Sequence, residues 1–164
     1  MKDANMYAEI DVAMDIIKYT GPSEEFSDRF LVLEKGLEYQ RNRERYNLEE
    51  GGVPWEVPGG KIELDAEEYT EREIKREAWR ELDEETSLPV ERTNFIEKAL
   101  REDDYTVRQE DVDITFYPVF YEFGGDPEAV QISPEEHKAY EWITEQEFMD
   151  RMTENEKKAL RRFI

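Results

Sequence analysis

Three glutamates near the middle of the chain, Glu81, Glu84 and Glu85, stand at the three- and four-residue spacings that bring side chains together on a helix. At 100° per residue they occupy roughly a 100° arc, while Leu82 and Trp79 point elsewhere. Like charges so placed each cost an isolated helix about 0.2 to 0.5 kcal/mol, so something should offset the repulsion. A hard cation would do so: Mg2+ accepts a few carboxylates, keeps several waters and takes its remaining ligands from substrate phosphates. The same face also reads as merely solvated, because Asp and Glu supply 43 of the 164 residues. The stretch upstream favours the cation. In Trp55-Glu56-Val57-Pro58-Gly59-Gly60-Lys61, Pro58 holds Val57 extended, and the two glycines allow a tight turn beside a ligand.

The elements that must position these residues follow from periodicity and punctuation. The helix carrying the glutamates is expected over 66–86, opened by Asp65 with Glu68 three residues on and stopped before Pro89. Residues 8–19 alternate apolar and polar and are rich in β-formers, which predicts a strand ended by Gly21-Pro22-Ser23. Arg29 to Glu34 predicts a second strand paired with the first. Further strands are expected over 95–100, 112–123 and 140–143, with Pro118 marking an edge or a bulge in the third of these. Thr144 and Thr153 each precede a helical segment, and the last segment ends in basic residues that complement the helix dipole. Residues 35–54 read as a charged loop. Its Arg41, Arg43, Arg45 and Tyr46 could grip phosphate and stack on a base, or could simply be solvated. Phe116 and Tyr121 are also stacking candidates, with core packing the competing role.

Composition bounds the remainder. A chain of 164 residues is one domain, 1–164, with a single core. Its 20 aromatic residues argue against disorder. A net charge of −21 makes it a poor partner for nucleic acid or anionic membrane, so an anionic substrate needs local help from a cation or arginines. Arg exceeds Lys by 13 to 9, and the acidic excess is spread along the chain, a pattern that fits a high-salt cytoplasm. Cysteine is absent, which excludes disulfides and thiolate chemistry. No apolar run reaches membrane-span length and no signal-peptide pattern opens the chain, so a cytoplasmic protein is expected.

Taken together, these residues resemble the Nudix family, hydrolases of nucleoside diphosphates linked to another moiety. The family's box runs from a glycine to Arg-Glu, an aliphatic residue, any residue, Glu-Glu, any residue, Gly and an aliphatic residue. Here Gly60 opens it, and Arg80-Glu81-Leu82-Asp83-Glu84-Glu85-Thr86-Ser87-Leu88 closes it with Ser87 in place of the glycine. Trp55 to Lys61 before the box, and Glu136-His137 with Tyr140 to Ile143 after it, resemble the family as well. Nineteen residues separate Gly60 from Arg80 where the pattern has thirteen. The earlier box glutamate therefore has no unique counterpart. Glu67 and Glu68 keep its distance from Gly60 approximately, whereas counting back from Arg80 reaches Arg72. If position 87 is left-handed, serine costs roughly 1 to 2 kcal/mol more there than glycine.

The resemblance implies an α/β (α+β) Nudix fold, a mixed β-sheet sandwiched between helices. It implies Mg2+ or Mn2+ held by Glu81, Glu84, Glu85 and the Gly59 carbonyl, with Glu84 or Glu85 available as base. Arg80 would orient the carboxylates, Leu82 would anchor the helix, and Glu136, or else Glu135, would add a catalytic carboxylate. His137 reads as a structural or hydrogen-bonding residue. The expected activity is metal-dependent hydrolysis of a diphosphate linkage in a small nucleoside diphosphate derivative. The alternatives are a catalytically impaired nucleotide-binding or regulatory domain and a purely structural acidic domain. Substrate identity and oligomeric state, monomer or homodimer, are not encoded legibly.

Overall fold

The computed structural model describes residues 8–36, 54–63, 69–89, 106–109 and 112–163. Its strands are β1 (Ala8–Tyr19), β2 (Phe30–Lys35), β3 (Trp55–Glu56), β4 (Gly59–Lys61), β5 (Thr106–Gln109), β6 (Val112–Phe123) and β7 (His137–Ile143). Three helices accompany them: α1 (Glu71–Thr86), α2 (Glu145–Arg151) and α3 (Glu154–Phe163). The strands form one mixed sheet. Its main path runs β3-β2-β1-β6-β5, with β4 paired to β1 and β7 to β2. β1 and β6 run parallel along their whole length, from Ala8 beside Val112 to Tyr19 beside Phe123, and every other pair is antiparallel.

Both faces of this sheet are covered, which explains why Ala13 to Ile17 are all buried in β1. Ala13, Ile17 and Tyr19 pack with Ile74, Ala78 and Leu82 of α1 on one face. Met14 and Ile16 join Phe148, Met152, Ala159 and Leu160 of α2 and α3 on the other. The sheet is thus sandwiched between helices, as expected, and Leu82 does anchor α1. β1 and β6 have the predicted limits, and β2 is shifted by one residue. β2 pairs with β1 through Lys18 and Phe30. Pro118 lies within β6 opposite Met14 of β1, past Thr115, the last β6 residue with a described partner in β5.

The start of α1 differs from expectation. Tyr69 and Thr70 are not helical, and the helix begins at Glu71 instead of near residue 66. Thr70 and Glu73 form a reciprocal capping box: the Glu73 N–H donates to Thr70 Oγ1 at 3.1 Å, and the Thr70 N–H donates to Glu73 Oε1 at 3.2 Å. A hydroxyl cap with glutamate at the third helical position prevails over the earlier Asp65 and Glu68, which lie outside the described residues. So does the expected strand at 95–100. At the far end, Ser87 is left-handed, with φ 54° and ψ 20°, and its N–H bonds the Asp83 carbonyl. α2 begins with a second capping box, Thr144 with Glu147.

Candidate active site

The Trp55 to Gly60 segment is held residue by residue. The Arg151 guanidinium lies 4.5 Å from the centre of the Trp55 ring. Glu56 Oε1 is 2.9 Å from Nε2 of the buried His137. The Val57 N–H donates to Glu156 Oε2 at 2.7 Å, and the Pro58 carbonyl accepts from the Asp15 N–H at 2.8 Å. The Gly59 N–H then donates to Glu85 Oε2 at 3.3 Å. Gly59 and Gly60 accordingly form a short strand against Met14 and Ala13, where a tight turn was expected. Gly59 tolerates no side chain, and one on Gly60 would displace Glu81. At φ 154°, a Cβ on Gly59 would run into the Ala13 carbonyl, and one on Gly60 would meet the Glu81 carboxylate.

α1 brings Glu81 and Glu85 down onto these glycines. Burial pushes the Glu85 carboxyl up to about 9, assisted by the charges of Glu56, Glu81 and Glu136 and opposed by the Gly59 N–H. Burial also raises Glu81, with the Arg80 charge opposing and Glu84 and Glu63 adding to the rise. Arg80 gathers the neighbouring carboxylates: its Nε donates to Glu77 at 2.6 Å, Nη1 to Glu84 at 2.9 Å and Nη2 to Glu81 at 3.0 Å, while Glu63 stands 3.7 Å from Nη2. Its own pKa rises, chiefly through the Glu77 bond. Glu84 differs from its neighbours. Its side chain is 57% exposed against 13% for Glu81, so it is the outermost of the three.

Other expected residues divide in two. Glu136 sits exposed in the turn before β7, its charge reaching Glu85 and its carbonyl accepting the Gly36 N–H. Glu135 is exposed beside it. Tyr121 is fully buried in the core, so it is not a stacking surface, whereas Phe116 is half-buried and borders a cleft. Arg41, Arg43, Arg45 and Tyr46, like Glu67 and Glu68, lie outside the described residues. Arg72, the other counterpart of the early box glutamate, is exposed on the first turn of α1.

Several site residues escape the sequence reading. Glu77 was detectable, since it lies three residues before Arg80 on the same helix face. Glu56, Glu156 and Asp15 reach the glycine segment only through strand pairing and helix packing, which no local spacing reveals. The cleft of about 290 Å³ beside Gly59 and Gly60 is bordered by Met14, Lys35, Glu56, Phe116 and Glu156.

The donor chemistry fits a hard divalent cation. Half-buried, mutually repelling carboxyl groups face the glycine segment, where the Ala13 carbonyl leaves no room for a Cβ on Gly59, and neither oxygen of the buried Asp15 meets a hydrogen bond of good geometry among the described residues. No three acidic or histidine side chains among the described residues enclose a cation as they stand. Glu81 and Glu84 are instead turned toward Arg80.

Comparison with known proteins identifies the family and the fold. The sequence pattern of the NUDIX domain matches residues 30–163. The MutT protein of Methanosarcina mazei Go1 has a similar structure, with a TM-score of 0.59 and 17% identity over 96% of this chain and 94% of that one. An Ap4A hydrolase of C. elegans, solved as a binary complex, gives 0.54 and 17% over 94% of each chain. A bifunctional NMN adenylyltransferase/ADP ribose pyrophosphatase of Francisella tularensis, complexed with AMP and a Mn ion, gives 0.57 and 19% over 98% of this chain and 42% of that one. No curated protein matches the chain in sequence. With the domain pattern matched over most of the chain and the glycine segment joined to Glu85, the protein belongs to the Nudix family of pyrophosphohydrolases.

Proposed function

We propose that the protein hydrolyses a diphosphate linkage in a small nucleoside diphosphate derivative, with Mg2+ or Mn2+ as cofactor. The observation that carries this reading is the half-buried Glu85 carboxylate, raised to about 9 and bonded to the Gly59 N–H, with Glu81 beside Gly60. Such a pair is costly to ionise alone and is stabilised as carboxylate by a divalent cation. When bound, the cation supplies charge neutralisation of the diphosphate and acidification of a water. Glu81, Glu84, Glu85 and the Gly59 carbonyl would hold it. Arg80 restrains Glu81 and Glu84, reducing the side-chain entropy lost on binding.

The water oxygen attacks one phosphorus of the anhydride, the bridging P–O bond breaks, and the second phosphate leaves. Glu85 takes the water proton, or Glu136 does so from the exposed turn whose charge reaches Glu85. Most of the rate arises from positioning and charge stabilisation. The cleft beside the glycines offers Phe116 as a ring for the base and Lys35 as a cation. Arg41, Arg43, Arg45 and Tyr46 would add contacts from the neighbouring loop. An overall charge of −21 disfavours nucleic acid as substrate.

The named relatives direct the choice of substrates to ADP-ribose and diadenosine tetraphosphate, assayed with nucleoside triphosphates and nucleotide sugars. Product release that requires Mg2+ or Mn2+ is expected for at least one class. Nucleotide binding without turnover across the whole panel would instead favour a binding or regulatory domain.

A further inference from the structure

Asp15 is an anomaly in the middle of the sheet. It lies in β1 between Ala13 and Ile17, which pack beneath α1, and it is completely buried. Strand alternation aims its side chain at the same face as theirs. Neither carboxylate oxygen has a hydrogen-bond partner among the described residues. Leaving a buried polar group so placed costs stability, and a carboxylate costs more than a neutral group. Its surroundings are anionic: the charges of Glu85 and Glu81 both act on it from α1. The Tyr121 hydroxyl on β6 acts in the opposite sense. The Asp15 N–H also holds the Pro58 carbonyl, while its neighbour Met14 pairs with Gly59. Asp15 is thereby fixed beside the glycine segment in the same sheet.

We propose that Asp15 is a further oxygen ligand of the divalent cation, contributed from the strand side opposite the helix glutamates. This inference rests on the cation-dependent reading above. A carboxylate buried beside other carboxylates, with the Tyr121 hydroxyl as the donor that favours its charge, is complementary to a bound cation, because the cation supplies the positive partner that the surrounding carboxylates do not. Its placement on a central strand also gives it a fixed position that a long surface glutamate lacks.

Mn2+ titration of the cation-free protein without substrate, followed by the electron paramagnetic resonance of free Mn2+, tests the assignment. Asp15→Asn keeps the shape and removes the charge. It should weaken Mn2+ binding about tenfold or more and reduce the Mn2+-induced rise in melting temperature, while the cation-free melting temperature stays equal or increases. Asp15→Val, an apolar strand former, provides the same test if the amide variant does not fold. Mn2+ affinity within about twofold of wild type in a folded variant would overturn the role of Asp15 and leave the cation-dependent reading intact. A wild-type protein that binds no Mn2+ would overturn both.

Discussion

Glu85 illustrates how a single side chain couples stability to cofactor. Its folded pKa of about 9 lies above the ordinary 4.5, so its contribution to stability is complete below pH 4.5 and is lost as pH rises through 9. Glu81 and Asp15 are raised in the same direction. The cation-free protein is therefore expected to melt at progressively lower temperature between pH 5 and 9, and saturating Mg2+ should remove most of that loss by favouring the ionised carboxylates. Thermal melts across that window check this, and a flat cation-free profile would contradict it. Glu81, Glu85 and Arg80 were legible in the sequence because helical spacing is a local property. Asp15 and Glu156 were not, since their roles depend on which strand lies beneath α1 and which helix meets Val57.

At the scale of elements, α1 is the lever that brings its glutamates to the glycines, and its two ends show different degrees of optimisation. Its N-terminus has a complete capping box, whereas its C-terminus holds Ser87 in a left-handed conformation. Ser87→Gly should accordingly raise stability by about 1 kcal/mol in denaturant unfolding, with activity unchanged. A loss of stability would show that the serine side chain has compensating contacts. Proline and glycine punctuation made most element ends readable: Gly21-Pro22 closes β1, and Pro89 follows α1. The helix start was misplaced because two capping signals lie five residues apart, and only the fold decides between them. The outcome matters for the site, since the lengthened connection between Gly60 and α1 lies ahead of the helix, leaving the spacing of Arg80, Glu81, Glu84 and Glu85 intact.

For the molecule as a whole, the mixed sheet between two helical layers was expected from the family resemblance. The strand order was not legible, because the parallel pairing of β1 with β6 joins segments that most of the other elements separate along the chain. Net charge acts at this scale too. With 43 acidic and 22 basic residues, self-repulsion opposes the compact state and salt screens it. The melting temperature should rise between low and molar KCl, and a constant value would rule out adaptation to high salt. The central claim concerns activity, and it is tested most directly by comparing Mg2+-dependent diphosphate cleavage by the wild-type protein and by Glu85→Gln, with circular dichroism confirming equal folding. Turnover should fall by about a hundredfold or more in the variant. Wild-type turnover by folded Glu85→Gln would contradict it.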